Sequence, residues 1–143
     1  MSYVALATDS FEAMARFYGE VLLFPILSEW DRPTGRGRLF DLGAGLRLEI
    51  LDNARQKHPA VLSSPCGRTH IVIEVEDINQ ARIGIPINTP APQTTSWGAR
   101  LFQIQDPDGI TVTYLQWTHH NSGPQSVDPI IDYPTASATA PLL

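Results

Sequence analysis

The chain repeats itself. Arg100-Leu101-Phe102 opens a stretch, Ser96 to Trp117, that reads as two strands around one turn, and Arg38-Leu39-Phe40 opens a matching stretch upstream. Each copy continues with one polar and one apolar residue, a Gly-containing turn and a closing strand. The offset is 62 residues before the turn and 64 after it, because the second turn is two residues longer. The same comparison lays Val4-Ala5-Leu6 over Ile71-Val72-Ile73, each leading into Asp and a helical pattern. Three elements matching in one order give a period of about 65 residues, too long for a solenoid unit and right for two half-domains.

The local signals are those of strands and short helices. Ile110 to Trp117 is rich in β-branched and aromatic residues, and Asp106-Pro107-Asp108-Gly109 is a turn, with Pro107 presetting φ and Gly109 able to take a positive φ. From Phe11 to Leu22 the apolar residues Phe11, Met14, Ala15, Tyr18, Val21 and Leu22 fall at three- and four-residue spacing, which predicts a helix resting one face on a sheet. Asp9 or Ser10 is the expected N-cap, and Pro25 follows the helix. Ile26–Trp30, Arg38–Leu42 and Leu46–Leu51 read as strands, so the first half is βαβββ. The second half opens at Thr69–Val75. Asp77 is expected to cap a short helix, Ile78 to about Ile83, with Ile85–Asn88 as a strand remnant before a Pro/Thr loop and Trp97-Gly98. The expected organisation is one α+β domain over 1–117. Its half-modules span about 1–52 and 68–117, joined by a connection over 53–67, and a Pro/Ser/Thr-rich tail over 118–143 is extended or partly disordered.

Composition narrows the function. Among 143 residues the formal net charge is −5 and no Lys/Arg cluster occurs, which argues against a nucleic-acid partner. Cys66 is the single cysteine, so no intramolecular disulfide can form, and a reducing compartment is expected. No apolar run reaches membrane-spanning length, so the expectation is a cytoplasmic protein with no membrane partner. The glycines at 35, 37, 43 and 45 mark turns, because no helix follows them as a dinucleotide fingerprint requires.

Two βαβββ units, the strand-helix signature LATDSFEAMARFYGEVLLF and the late WGARLFQIQDPDG together resemble the vicinal oxygen chelate superfamily. That group includes glyoxalase I, extradiol dioxygenases, methylmalonyl-CoA epimerase, fosfomycin-resistance enzymes and bleomycin-binding resistance proteins. The resemblance covers about residues 3 to 117. It implies a curled mixed sheet around a cleft and, as in many members, a homodimer. In the family's enzymes a divalent metal is held by side chains from the first and last strands of each half. The matching positions here are Tyr3, Glu49, His70 and Thr113. Glu49 and His70 are competent ligands; Tyr3 is an uncommon one, and Thr113 stands where an acidic residue is usual. Two ligands are too few to hold Mn, Fe, Ni, Zn or Mg firmly.

The cleft that the resemblance implies would also be lined or bordered by Trp30, Phe40 and Trp97, flat rings able to stack on a planar ligand, with Tyr114 and Trp117 beside them. Phe40 and Tyr114 are equally readable as core. Arg47 shares strand parity with Glu49 and should face the same way. Glu49 and His70 have three open readings: an ion pair left over from the fold, a weak metal pair, or metal-free acid-base chemistry with Glu49 as the base. The function expected is binding: a protein without cofactor that sequesters an aromatic or antibiotic-like small molecule. The alternative is a metal-dependent lyase, isomerase, dioxygenase or thiol transferase using Glu49 and His70.

Overall fold

The computed structural model describes residues 1–118; all of the expected tail after Thr118 lies outside the described residues. The chain is α+β, built from two similar modules that each carry a four-stranded mixed sheet. In the first module β1 (Val4–Thr8), α1 (Phe11–Arg16), β2 (Ile26–Arg32), β3 (Gly35–Gly43) and β4 (Leu46–Asp52) give the sheet order β1-β4-β3-β2. In the second, β5 (His70–Glu74), α2 (Ile78–Ile83), β6 (Gln93–Thr94), β7 (Ala99–Gln105) and β8 (Thr111–Trp117) give β5-β8-β7-β6. The opening strand of each module runs parallel to its last strand, and the other pairs are antiparallel.

Register confirms the duplication and refines it. Val4 stands beside Leu48 and Ile71 beside Val112, so Tyr3 and His70 occupy the same place one residue earlier. Glu49 lies opposite Leu39, whereas Thr113 lies opposite Gln103. The two Arg-Leu-Phe copies therefore sit two residues apart along otherwise matching ladders. A two-residue shift keeps every side chain on its face. The loops account for the difference. Ala44-Gly45, at φ +50° and +83°, closes the first hairpin in two residues, as a tight hairpin turn requires. The second hairpin uses Asp106 to Ile110, with Gly109 at φ +82°.

Chain contacts divide the molecule into two units, Met1–Pro65 with Asp106–Gly109, and Cys66–Gln105 with the residues from Ile110 onward. In the first unit α1 continues as a π-helical turn over Phe17–Val21, marked by the bond from Leu22 N to Phe17 O. The amphipathic pattern read over Phe11–Leu22 is therefore one continuous helical segment that changes pitch. Its apolar side buries Met14, Tyr18 and Leu22 against Phe40, Leu48 and Ile50. Ser10 stands at the N-cap position, but its side chain makes no capping bond; Thr8 Oγ1 instead accepts from Ser10 N at 2.9 Å. Arg36 stacks its guanidinium 4.4 Å over the Phe11 ring and pairs with Glu12, whose carboxyl it holds below the usual range. The Tyr18 hydroxyl, fully buried, donates to Asp106 Oδ2 at 2.7 Å. Asp106 also accepts from Asp108 N, so the turn's first carboxylate organises both its own loop and a core phenol. Asn53 takes up Asp9 and both backbone groups of Ala60, which pins the start of the expected connection.

In the second unit Asp77 caps α2, accepting from Asn79 N and Gln80 N, as its position ahead of the apolar run predicts. Ile78 N donates to Gln116 Oε1, which fixes the even-numbered face of β8 under the helix. On that face Phe102 and Tyr114 stack at 5.0 Å between ring centres. The strand remnant expected at Ile85–Asn88 is not there. Pairing falls instead at β6, where Gln93 and Thr94 meet Leu101 and Arg100, because the Pro-rich segment reaches β7 only after Pro92. No helix among the described residues is long and apolar enough to cross a membrane.

Candidate functional site

Each sheet has one face under its helix and one face that the helix leaves bare, and residue parity assigns every candidate to one of them. In the first unit Phe40 packs on the helix: its ring lies 6.2 Å from that of Tyr18 and would touch a methyl added at Gly19. Phe40 is 0% exposed and directly opposite Leu48. Glu49 pairs with Leu39, one residue along, and so points the other way. Phe40 therefore belongs to the core, where a ligand lying with Glu49 would not meet it. Tyr114 has the same fate in the second unit, and burial pushes its phenol well above the usual range.

The bare face of the first sheet carries Trp30, Gly37, Leu39, Asp41, Arg47, Glu49 and Leu51. Arg47 shares this face with Glu49, as parity predicts, and stands across the ladder from Asp41. Glu49 is flanked by apolar neighbours on both sides, Leu39 on β3 and Ala5 on β1. Among the described residues it makes no hydrogen bond or ion pair, and burial raises its carboxyl pKa above the ordinary value. Trp30, half-buried, is paired with Gly37, and a Cβ on Gly37 would clash with Cζ2, Cε2 and Cη2 of the indole. The indole thus lies across β3 at the one position that has no side chain. Tyr3 precedes β1 and is 50% exposed.

The bare face of the second sheet runs from apolar to polar and carries one acidic residue, Glu74, beside Leu115. At one end Trp97 and Trp117 meet edge to face at 5.6 Å and cover Ala99, Leu101 and Leu115. At the other end His70, Gln103 and Thr113 form one hydrogen-bonded group. Gln103 Nε2 donates to Thr113 Oγ1 at 2.9 Å and lies 3.4 Å from His70 Nε2, and Thr113 Oγ1 is bonded to His70 Nε2. Thr113 is 0% exposed beneath the other two. The three groups are compatible with one another when the hydroxyl accepts from the amide and donates to Nε2. The sequence marked His70 and Thr113 but missed Gln103. The signal was available, since pairing β7 with β8 around the Asp106 turn puts Gln103 opposite Thr113.

These donors fit a divalent metal poorly. His70 Nε2 is already engaged by Thr113 Oγ1, and a neutral hydroxyl and a carboxamide are weak replacements for carboxylates. Among the described residues no three His, Cys, Asp or Glu side chains converge on a common point.

Comparison with known proteins agrees with this architecture. The family model described as Glyoxalase/Bleomycin resistance protein/Dioxygenase superfamily matches residues 1–114. A glyoxalase/bleomycin resistance protein/dioxygenase from Nocardioides superposes with a TM-score of 0.61 at 23% identity, covering 89% of this chain and 88% of its own. TnmS3, an antibiotic-binding protein from Streptomyces sp. CB03234, gives 0.56 at 21% identity, covering 82% and 97%. A lactoylglutathione lyase from Agrobacterium tumefaciens gives 0.56 at 19%, covering 81% and 92%. At these identities the likenesses speak for the fold. No curated protein sequence matches the chain.

Proposed function

We propose that this chain, which belongs to the Glyoxalase/Bleomycin resistance protein/Dioxygenase superfamily, is a metal-independent receptor for a planar, aromatic or antibiotic-like small molecule. One observation carries the reading: His70, Gln103 and Thr113 are tied into one hydrogen-bonded group. Such a group suits recognition of a hydroxyl, carbonyl or amide on a ligand better than it suits Lewis-acid chemistry. On the same sheet face the half-exposed indoles of Trp97 and Trp117 supply flat apolar contact, and Trp30 offers a third indole on the first sheet. A fold of this kind binds an antibiotic in TnmS3, so the scaffold is suited to the task. Arg47 and Glu49 add charge on the first sheet, and Tyr3 borders it.

One observation favours a second reading. Glu49 is a desolvated carboxylate with a raised pKa, the property a general base needs. In that reading Glu49 takes a proton from a substrate bound on the first sheet.

The same proposal takes the half-modules as 1–52 and 68–117, the segment 53–67 as their connection, and the working protein as a cytoplasmic homodimer. A fluorescence screen tests the binding reading: planar ligands are titrated into chelator-treated protein while tryptophan emission is followed. Saturable quenching that Trp97→Phe weakens is the expected result. Binding or turnover that appears only after a divalent metal is restored would sink it.

A further inference from the structure

The bare face of the first sheet holds a carboxylate seated between apolar cross-strand neighbours. Its charged residues are Arg32, at the end of β2 beyond Trp30, and Asp41, Arg47 and Glu49. Asp41 and Arg47 stand directly opposite each other across the β3–β4 ladder, which leaves Glu49 as the carboxylate with no charge facing it. Its own cross-strand neighbours are Leu39 and Ala5, and it makes no hydrogen bond or ion pair among the described residues. A partly desolvated carboxylate without a partner costs free energy that a bound cation would recover.

The second half of the feature is the indole. Trp30 sits over Gly37, and Gly37 is paired on its other side with Leu51. Leu51 is the next residue on this face after Glu49, a step of about 7 Å along the strand. An aromatic face and an uncompensated carboxylate therefore occupy adjacent rows of one sheet surface. A cation is attracted by both, to the ring quadrupole and to the carboxylate.

We propose that Trp30, seated on Gly37, and Glu49 form a cation subsite that takes the protonated amine or ring nitrogen of a planar ligand. This rests on the ligand-binding reading above and narrows its chemistry to cationic aromatics. The formal net charge of −5 favours the approach of such molecules over that of anions. Gly37 acts as a positioning residue, because any side chain there would lift the indole off the strand.

Two dyes with three fused rings and opposite charge separate the possibilities: 9-aminoacridine, a cation at neutral pH, and 9-anthracenecarboxylate, an anion. Equilibrium dialysis against chelator-treated protein should show 9-aminoacridine bound at least about tenfold more tightly, the scale of one charge-assisted contact. Glu49→Gln should lower that affinity about tenfold and leave the anion's unchanged or improved. Trp30→Phe, which keeps a ring and the fold, should weaken the cation by a smaller factor. Equal affinities for the two dyes, or a preference untouched by Glu49→Gln, would overturn the cation subsite while leaving the receptor reading standing. If neither dye binds, the subsite is also overturned, and the wider fluorescence screen then decides whether the chain is a receptor at all.

Discussion

The bare faces of the two sheets began as copies and now differ in kind. At matching places the first carries Glu49 and the second Thr113; the first is preceded by Tyr3 and the second opens with His70. The first face leaves a carboxylate without a partner beside a single indole, whereas the second closes its polar groups on one another beside a pair of indoles. The ladder geometry has been kept, since strand order is the same in both and the one register difference, two residues, leaves every side chain on its face. Duplication preserved what backbone pairing enforces and released what points away from the core.

The sharpest way to break this comparison is through the cores, which should respond alike if only the bare faces have diverged. Phe40→Ala should cost about 4 kcal/mol in denaturant unfolding, and Phe102→Ala a similar amount, because both rings are buried and removal leaves a cavity. The fraction of Phe40→Ala that remains folded should bind ligand as the parent does; loss of binding in folded protein would return Phe40 to the ligand face. Gly37→Ala comes next. The added methyl displaces the Trp30 ring and should cost about 2 kcal/mol, with a shift in tryptophan emission that the corresponding change at Gly43, where a Cβ meets nothing, does not produce.

How far the sequence could be read follows from the same distinction. The strands, the short second helix capped by Asp77 and the duplication were legible because they rest on local periodicity and turn chemistry. Which face a residue takes was legible for Arg47 and Glu49, which lie on one strand. It was left undecided for Phe40, because its orientation relative to Glu49 depends on the β3–β4 register, set by the two-residue turn at Ala44-Gly45. The seat under Trp30 was hidden for a similar reason. Gly37 read as a turn residue until its pairing with β2 placed it beneath the indole. The π-helical turn at Phe17–Val21 leaves no mark on a pattern of three- and four-residue spacing.

Smaller perturbations sharpen the contrast between the two polar sites. Thr113→Val keeps shape but removes the hydroxyl that serves both Gln103 and His70, and should cost about 1 kcal/mol. It should also move the His70 imidazole resonances in NMR; unchanged resonances would mean the three side chains are not coupled. Glu49→Gln should have the opposite sign and the smallest effect. Because the folded-state pKa of Glu49 is raised, the folded chain holds this proton longer than the unfolded one. Its contribution is fully present below the unfolded pKa and is lost as pH rises through the folded value. Glu49→Gln should therefore raise the Tm at pH 7 and leave it unchanged near pH 3. A variant that is less stable at pH 7 would show that Glu49 has a favourable partner.

The most direct test is elemental analysis of untagged protein after dialysis against excess Mn, Fe, Ni and Zn, followed by a metal-free wash. A His70 ring nitrogen already bonded to Thr113 and a solitary carboxylate at Glu49 predict well under about one-tenth of an equivalent retained per chain. Retention of about one equivalent, lost in His70→Ala or Glu49→Ala, would contradict the receptor reading and make the chain a metalloenzyme whose reaction remains to be found.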